Sequence, residues 1–254
     1  MASIDDATRA LAERLHATAA LATVVSTETL SSSLVEVTLE VDPRLAGAPG
    51  HDVMVDVGRG RTLRRRYSVR RADPEASTLT LWVGVDHEGP GVDWVREVTP
   101  GDRVVAIGPR GQITLDPAAS WHLFCGDLSA LAVFSRMVEA LEPGREALLA
   151  LEVDALDDAR APSPPPGVGL RVVFTERAGR AASDPEGLSR ALATLELPAA
   201  PGHAYLFGEF HVVRALRAHL ADRGLAEPAS SHKAYWRSGR ANADHGEPDK
   251  SEPA

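Results

Sequence analysis

The chain has 254 residues, of which 44% are hydrophobic and 25% charged, and its formal net charge is −9. That length holds one large domain or two ordinary ones around a real core, and the acidic balance argues against nucleic acid as the main partner, because phosphate-backbone binding needs a basic domain. The single cysteine, Cys125, excludes intrachain disulfides, Cys-based zinc and iron–sulfur ligation, and the absence of a long apolar run or signal-type leader gives no membrane span, so a cytoplasmic protein is expected.

Residues 4–21 set Ile4, Ala7, Leu11, Leu15 and Leu21 at roughly helical spacing, with Asp5 and Asp6 at the end where the helix dipole favours acids. They predict an N-terminal helix within 1–21. From 22 the period changes to two: "TVVSTETLSSSLVEVTLEV", "HDVMVDV", "TLRRRYSVRR" and "TLTLWVGV" alternate apolar and polar residues, as half-buried antiparallel strands do. "PGDRVVAIGPRGQITL" closes the run with Pro-Gly and Gly-Pro punctuation. About six short strands over 22–116 predict a small antiparallel barrel.

Past Pro117 the texture changes. "WHLFCGD" reads as a buried strand, and "EALLALEV", "LRVVFTE" and "HAYLFGE" read as strands. "LSALAVFSRMVEALEPG", "DPEGLSRALATLEL" and "FHVVRALRAHLADRG" read as helices, and the proline-rich 161–166 as a surface loop. Strands alternating with helices over 117–240 imply a parallel α/β sheet. The polar, aperiodic 241–254 reads as a disordered tail, and there are no internal repeats.

Within the barrel segment, "RTLRRRYSVRR" (61–71) stands out: with Arg59, seven arginines fall in 59–71 of an acidic chain. The bland reading is a solvated basic face. A barrel followed by a nucleotide-type α/β domain is also the order of ferredoxin-reductase-like flavoproteins. Arg65-Arg66-Tyr67-Ser68 resembles their barrel motif Arg-x-Tyr-Ser/Thr. On a strand, Arg65 and Tyr67 share a face. The resemblance therefore implies a guanidinium on the FAD pyrophosphate and a phenol on the isoalloxazine, with the Ser68 hydroxyl at the flavin edge. Tyr67 and Ser68 would then adjoin the chemistry. Arg64, Arg66, Arg70 and Arg71 are candidates for an anionic substrate or nucleotide.

Further segments agree in order. His87, Gly89-Pro90-Gly91-Val92-Asp93-Trp94, Pro100-Gly101-Asp102 and Gly108-Pro109-Arg110-Gly111 resemble a run found in siderophore-interacting proteins. A helix starting near Val92 would aim backbone N–H groups at a phosphate. "FCGDLSALAVF", "YLFGEFHVVRALRAHL" and "SHKAYWRSGR" resemble that family's Gly-Asp-Glu-Thr, Ala-Gly-Glu and Lys-Gly-Tyr-Trp-Arg segments. The resemblance implies FAD in the barrel, held by Arg65, Tyr67, Ser68, His87, Gly89, Pro90, Gly91 and Val92. It implies NAD(P)H as co-substrate at the sheet edge, near Gly126, Asp127, Ser129, Gly208 and Glu209. Trp236 would cover the flavin or line the substrate pocket, and Lys233 and Arg237 would meet an anionic ferric chelate.

Departures from the pattern leave other functions open. Val92 stands for a serine, Leu128 for a glutamate, Ser129 for a threonine, Ala132 for a proline and Ala234 for a glycine; Phe210-His211 follow Gly208-Glu209 where small residues are usual. The flavin site is the more intact of the two. A flavoprotein serving small-molecule biosynthesis as oxidoreductase or cyclase, or a binder without catalysis, remains compatible. Taken singly, Trp94 reads as a packing residue, Cys125 as a small buried hydrophobe, and His87 as either a turn cap or an FAD contact. The other histidines have no metal-ligand spacing, so no protein metal site is expected.

Overall fold

The computed structural model describes residues 3–58, 62–226 and 228–239. The tail read as disordered lies outside them, as do Arg59 and Arg61. The chain divides into two compact units, 1–115 and 116–254.

Helix α1 (Asp6–Arg14) is capped by Asp5, whose carboxylate accepts from the Thr8 N–H at 2.7 Å. It is shorter than expected. His16 takes φ 50°, and by Thr18 the chain has entered β1 (Thr18–Thr29), paired antiparallel with β6 (Arg103–Arg110) from Thr18↔Gly108 onward. That pairing claims residues whose local spacing favours a helix. The other strands are β2 (Leu34–Glu40), β3 (Asp52–Asp56), β4 (Arg64–Asp73) and β5 (Thr78–Gly84), and helix α2 (Pro90–Glu97) links β5 to β6. The six strands close in the order β1-β2-β5-β4-β3-β6. Val24, Val37, Leu39, Val53, Val55, Val69, Leu79 and Leu81 fill the interior, each worth about 1.5–3 kcal/mol of burial.

In the second unit, β7 (Trp121–Asp127), β8 (Glu146–Val153), β9 (Gly169–Glu176), β10 (Gly202–Glu209) and β11 (Ser230–Trp236) form a parallel sheet in the order β11-β10-β7-β8-β9. Every residue of β7 is buried, and β8 and β10 are buried beyond their first residue, as parallel strands covered on both faces require. Helices α3 (Leu131–Val138), α4 (Glu186–Thr194) and α5 (Phe210–Asp222) complete the unit. Phe124, Phe134, Tyr205 and Phe207 stack on one face, while Leu123, Cys125, Leu206, Leu188 and Leu216 pack on the other. The sheet grows from β7 through β8 to β9, then resumes on the far side with β10. The strand order therefore reverses between β7 and β10, the crevice where open α/β sheets bind ligands.

Candidate functional site

Strand β4 pairs with β3 in the register Asp52↔Ser68, Val53↔Tyr67, Met54↔Arg66 and Val55↔Arg65. Directly opposed residues share a face, so Arg65 and Tyr67 lie on the side of the buried Val53 and Val55, while Arg66 and Ser68 lie on the other. The Tyr67 ring packs 5.8 Å from that of Trp94 on α2, which is 7% exposed. The Arg65 guanidinium donates to the Arg64 carbonyl at 2.9 Å.

Helix α2 begins over this pair. Its N-cap, Gly89, has φ 149°, a conformation that only glycine adopts without strain. It offers no side-chain cap, and Pro90 has no N–H to cap. The helix starts two residues earlier than the sequence reading had it. The Val92 and Asp93 amides both donate to the Gly89 carbonyl at 2.9 Å, so Val92 contributes a buried side chain and an internally bonded amide. A Cβ added to Gly91 would lie 2.6 Å from the Tyr67 Oη and 3.6 Å from the Arg65 Cγ; the glycine lets the helix turn descend onto both. The Tyr67 Oη and Trp94 Nε1 are buried without a hydrogen-bond partner. Burial raises the Tyr67 pKa, against the opposing pull of Arg65, so the phenol stays a proton donor. His87, just ahead of the helix, is exposed and bonds Asp86 at 3.1 Å, which raises its pKa.

Three of the other arginines have specific partners, and Arg71 is exposed. Arg64 donates to the Thr8 hydroxyl at 2.7 Å, Arg66 pairs with Asp52, whose side chain is 7% exposed, and Arg70 lies 4.6 Å over the Trp82 ring. These three tie α1, β3 and β5 to β4, so the basic run is in large part barrel structure.

In the second unit the fold brings Gly126, Asp127, Ser129, Gly208, Glu209 and Trp236 together at the C-terminal ends of β7, β10 and β11. Asp127 accepts from the Ser129 N–H (2.9 Å) and Oγ (2.5 Å), the Glu209 N–H (2.7 Å) and the Trp236 Nε1 (3.0 Å). Burial raises its pKa, and those hydrogen bonds oppose the shift. Glu209, fully buried, caps α5 through the His211 and Val212 amides at 2.5 and 3.0 Å and accepts from the Ser238 N–H at 3.1 Å. Both glycines are sterically required: a Cβ on Gly126 would meet the Phe207 carbonyl oxygen at 2.0 Å, and one on Gly208 the Asp127 Oδ2 at 2.4 Å. Lys233 is 6% exposed on β11, 5.7 Å from the Tyr235 ring, and Arg237 lies 4.7 Å over the Phe210 ring.

Sequence reading missed β11 as a strand, the Asp127–Trp236 bond across 109 positions, and an ion-pair network at the ends of β8 and β9. The last had a signal. Glu152, Asp154, Arg177 and Arg180 sit at or just past strand ends, where α/β sheets place function. Among the described residues no cluster of three His, Cys, Asp or Glu could hold a metal ion, and no helix is long and apolar enough to cross a membrane.

Comparison with known proteins shows the family and the fold. Residues 119–239 match the family model for siderophore-interacting protein, and 50–113 match that for the siderophore-interacting FAD-binding domain. An uncharacterized protein of Mycobacterium tuberculosis is 32% identical over 187 residues, 69% of this chain; the match spans 65% of that relative's length. Ferric vibriobactin reductase of Vibrio cholerae is 34% identical over 95 residues, 37% of this chain and 35% of the reductase. A siderophore utilization protein from T. fusca is 27% identical with a TM-score of 0.77, over 90% of this chain and 96% of that one. The ferredoxin reductase of carbazole 1,9a-dioxygenase, at 18% identity and a TM-score of 0.73 over 87% of this chain and 70% of that one, shares the fold. The barrel's donors suit the FAD that the matched domain binds: the unpartnered phenol and the neighbouring Arg65 guanidinium are chemistry for a diphosphate.

Proposed function

The chain belongs to the siderophore-interacting protein family, and from that premise we propose that it is an FAD-dependent reductase of ferric siderophores driven by a reduced pyridine nucleotide. The observation that carries the reading is the pair Arg65–Tyr67 beneath the uncapped first turn of α2, with the buried Tyr67 hydroxyl lacking an acceptor. Bound there, FAD would supply hydride acceptance and one-electron release. Arg65 would neutralise the diphosphate, while the Tyr67 hydroxyl and the Gly91 amide would orient it. Trp94 holds the Tyr67 ring in place, and Ser68, on the opposite face of β4, is the candidate at the flavin edge. The nucleotide takes the crevice at the C-terminal ends of β7 and β10. Each nucleotide gives two electrons to two ferric centres and releases one proton. The iron is substrate: it leaves as ferrous because the chelator holds that state less tightly. Arg237 is the candidate contact for an anionic chelate; Lys233, buried on β11, supports the same edge from beneath.

The test is spectroscopic. The purified protein should show flavin absorbance, bleach anaerobically with NADH or NADPH, and regain colour on addition of a ferric siderophore. A colourless protein that takes up no FAD refutes the reading. One observation favours a second reading. Asp127 and Glu209 already cap the turns at the crevice, which suits a flavoprotein acting on an organic metabolite without a nucleotide. Flavin that is present but unbleached by either nucleotide would select it.

A further inference from the structure

We infer that the outer edge of β9 pairs antiparallel with β9 of a second copy of this chain, joining two parallel sheets into one across a two-fold axis. Among the described residues β9 is the last strand of its sheet: β8 pairs with one side of it, and no strand pairs with the other. The backbone shows which residues look outward. At the start of β9 the Gly169 amide donates to the Arg145 carbonyl at 3.1 Å, and just past its end the Arg177 amide donates to the Val153 carbonyl at 2.8 Å. Along a strand, the N–H and C=O of one residue point to the same side, and the side alternates from residue to residue. Arg171, Val173 and Thr175 therefore turn these groups to β8, while Leu170, Val172, Phe174 and Glu176 turn theirs away. In keeping with this, the Glu176 carbonyl accepts from the Arg180 Nη2 at 2.9 Å.

Exposed edges are normally blunted by lysine, proline, a bulge or short length. Strand β9 has none of these: its eight residues, "GLRVVFTE", run in unbroken register along β8 from Glu146↔Gly169 to Val153↔Glu176. Leu170, Val172, Val173 and Phe174 are only half-buried. Arg171, the charge inside the strand, is turned back onto Glu146 of β8 at 2.7 Å. Leu156, 59% exposed, lies in the short turn Leu156–Asp158 that packs beside β9. The strand also complements itself. In a two-fold pairing centred on Val173, all four outward residues meet one another: Val172 opposes Phe174 of the partner subunit, and Leu170 opposes Glu176 of the partner subunit. The two central pairs exchange N–H···O=C bonds in both directions. Arg171 opposes Thr175 of the partner subunit, so apolar residues meet apolar ones and no like charges are set face to face. Centring on Val172 or Phe174 instead would leave Glu176 or Leu170 beyond the end of the partner strand. A two-fold contact of this kind closes at two copies and does not run on into a fibre.

The test is the oligomeric state of the full chain. Sedimentation velocity should show a dimer that dissociates on dilution with a midpoint on the order of micromolar, because one strand pair and its flanks make a small interface. Val172→Pro deletes an amide that β8 does not use, so the ladder within the sheet survives. Val172→Lys places a charge on the same edge. Each should weaken the dimer at least about tenfold, with little change in monomer melting. Val173→Cys should form an interchain disulfide under mild oxidation, because in this register residue 173 alone meets its own copy; Val172→Cys should not. If Val172→Pro fails to fold, Val172→Lys and the cross-link decide the matter. A chain that stays monomeric up to about 100 µM, a dimer indifferent to Val172→Lys, or a cross-link through Val172→Cys in place of Val173→Cys would each overturn the inference, and none of these outcomes touches the flavin reading.

Discussion

The barrel and the α/β sheet treat their polar groups in opposite ways. Under α2 the buried Tyr67 hydroxyl and Trp94 indole have no partner, and the helix above has no side-chain cap. At the strand ends of the second unit, Asp127 receives four hydrogen bonds, Glu209 three, and Glu152 two guanidiniums. A buried polar group left unsatisfied costs free energy, so the barrel carries a deficit that a ligand can relieve. At the sheet edge Asp127, Glu209 and Glu152 are instead satisfied by the protein itself. Changes in the first region should therefore cost ligand, and changes in the second should cost fold.

The sharpest way to break that comparison is Asp127→Ala, which strands buried donors from Ser129, Glu209 and Trp236. It should cost on the order of 4 kcal/mol of stability in denaturant titration; a loss below about 1 kcal/mol would mean that the acid serves a ligand and not the turn. Next in size is pH. Burial foremost, then the charges of His203 and Arg145, push His122 down to about 4 from 6.5, and burial lowers His203 in the same direction. Both sit near the N-terminal ends of their strands, close to Tyr205, with Asp116 Oδ2 3.3 Å from His203. Between those values the unfolded chain binds the proton more readily than the folded one. Stability is thus complete above pH 6.5 and is lost as the pH falls toward 4, by about 3 kcal/mol for His122. Melting temperature against pH, with His122→Gln removing most of the slope, checks the sign.

The barrel predictions are smaller and of the other kind. Arg65→Ala should weaken FAD retention by about 1.5–3 kcal/mol with little change in apoprotein melting, read as flavin fluorescence released on dilution. Tyr67→Phe sharpens the contrast most. It should leave the apoprotein as stable or slightly more so, because an unsatisfied hydroxyl is gone, yet cost about 1 kcal/mol of FAD affinity. Loss of apoprotein stability instead would show that the phenol is paired within the protein. Trp236→Phe, which deletes one hydrogen bond to Asp127, should cost about 1 kcal/mol of stability.

Much of this was legible in the chain. Alternation over 22–116 and the apolar strands at 121–127, 146–153 and 203–209 were legible because period two and unbroken apolarity are direct consequences of one-faced and two-faced burial, whereas the edge strand β9 is only half-buried. The N-terminal helix was overestimated because strand pairing with β6 outweighed local spacing in residues 18–21. The helix after β7 was read too long: its final turn tightens, with the Ala140 and Leu141 amides reaching back only three residues. Strand β11 escaped because "SSHKAYW" has mixed polarity and pairs only with β10 at the edge of the sheet.

By itself the sequence determined every strand but β11, the order of the elements and the co-facing of Arg65 and Tyr67, since each follows from spacing along one strand or helix. Tertiary structure alone decided which arginines are spent on Thr8, Asp52 and Trp82, that Gly91 lies over the Tyr67 hydroxyl, and that Asp127 meets Trp236 and Glu152 meets Arg177 and Arg180. Charge and hydrogen-bond capacity are properties of a residue, but whether they remain available depends on neighbours that only the folded chain brings within reach.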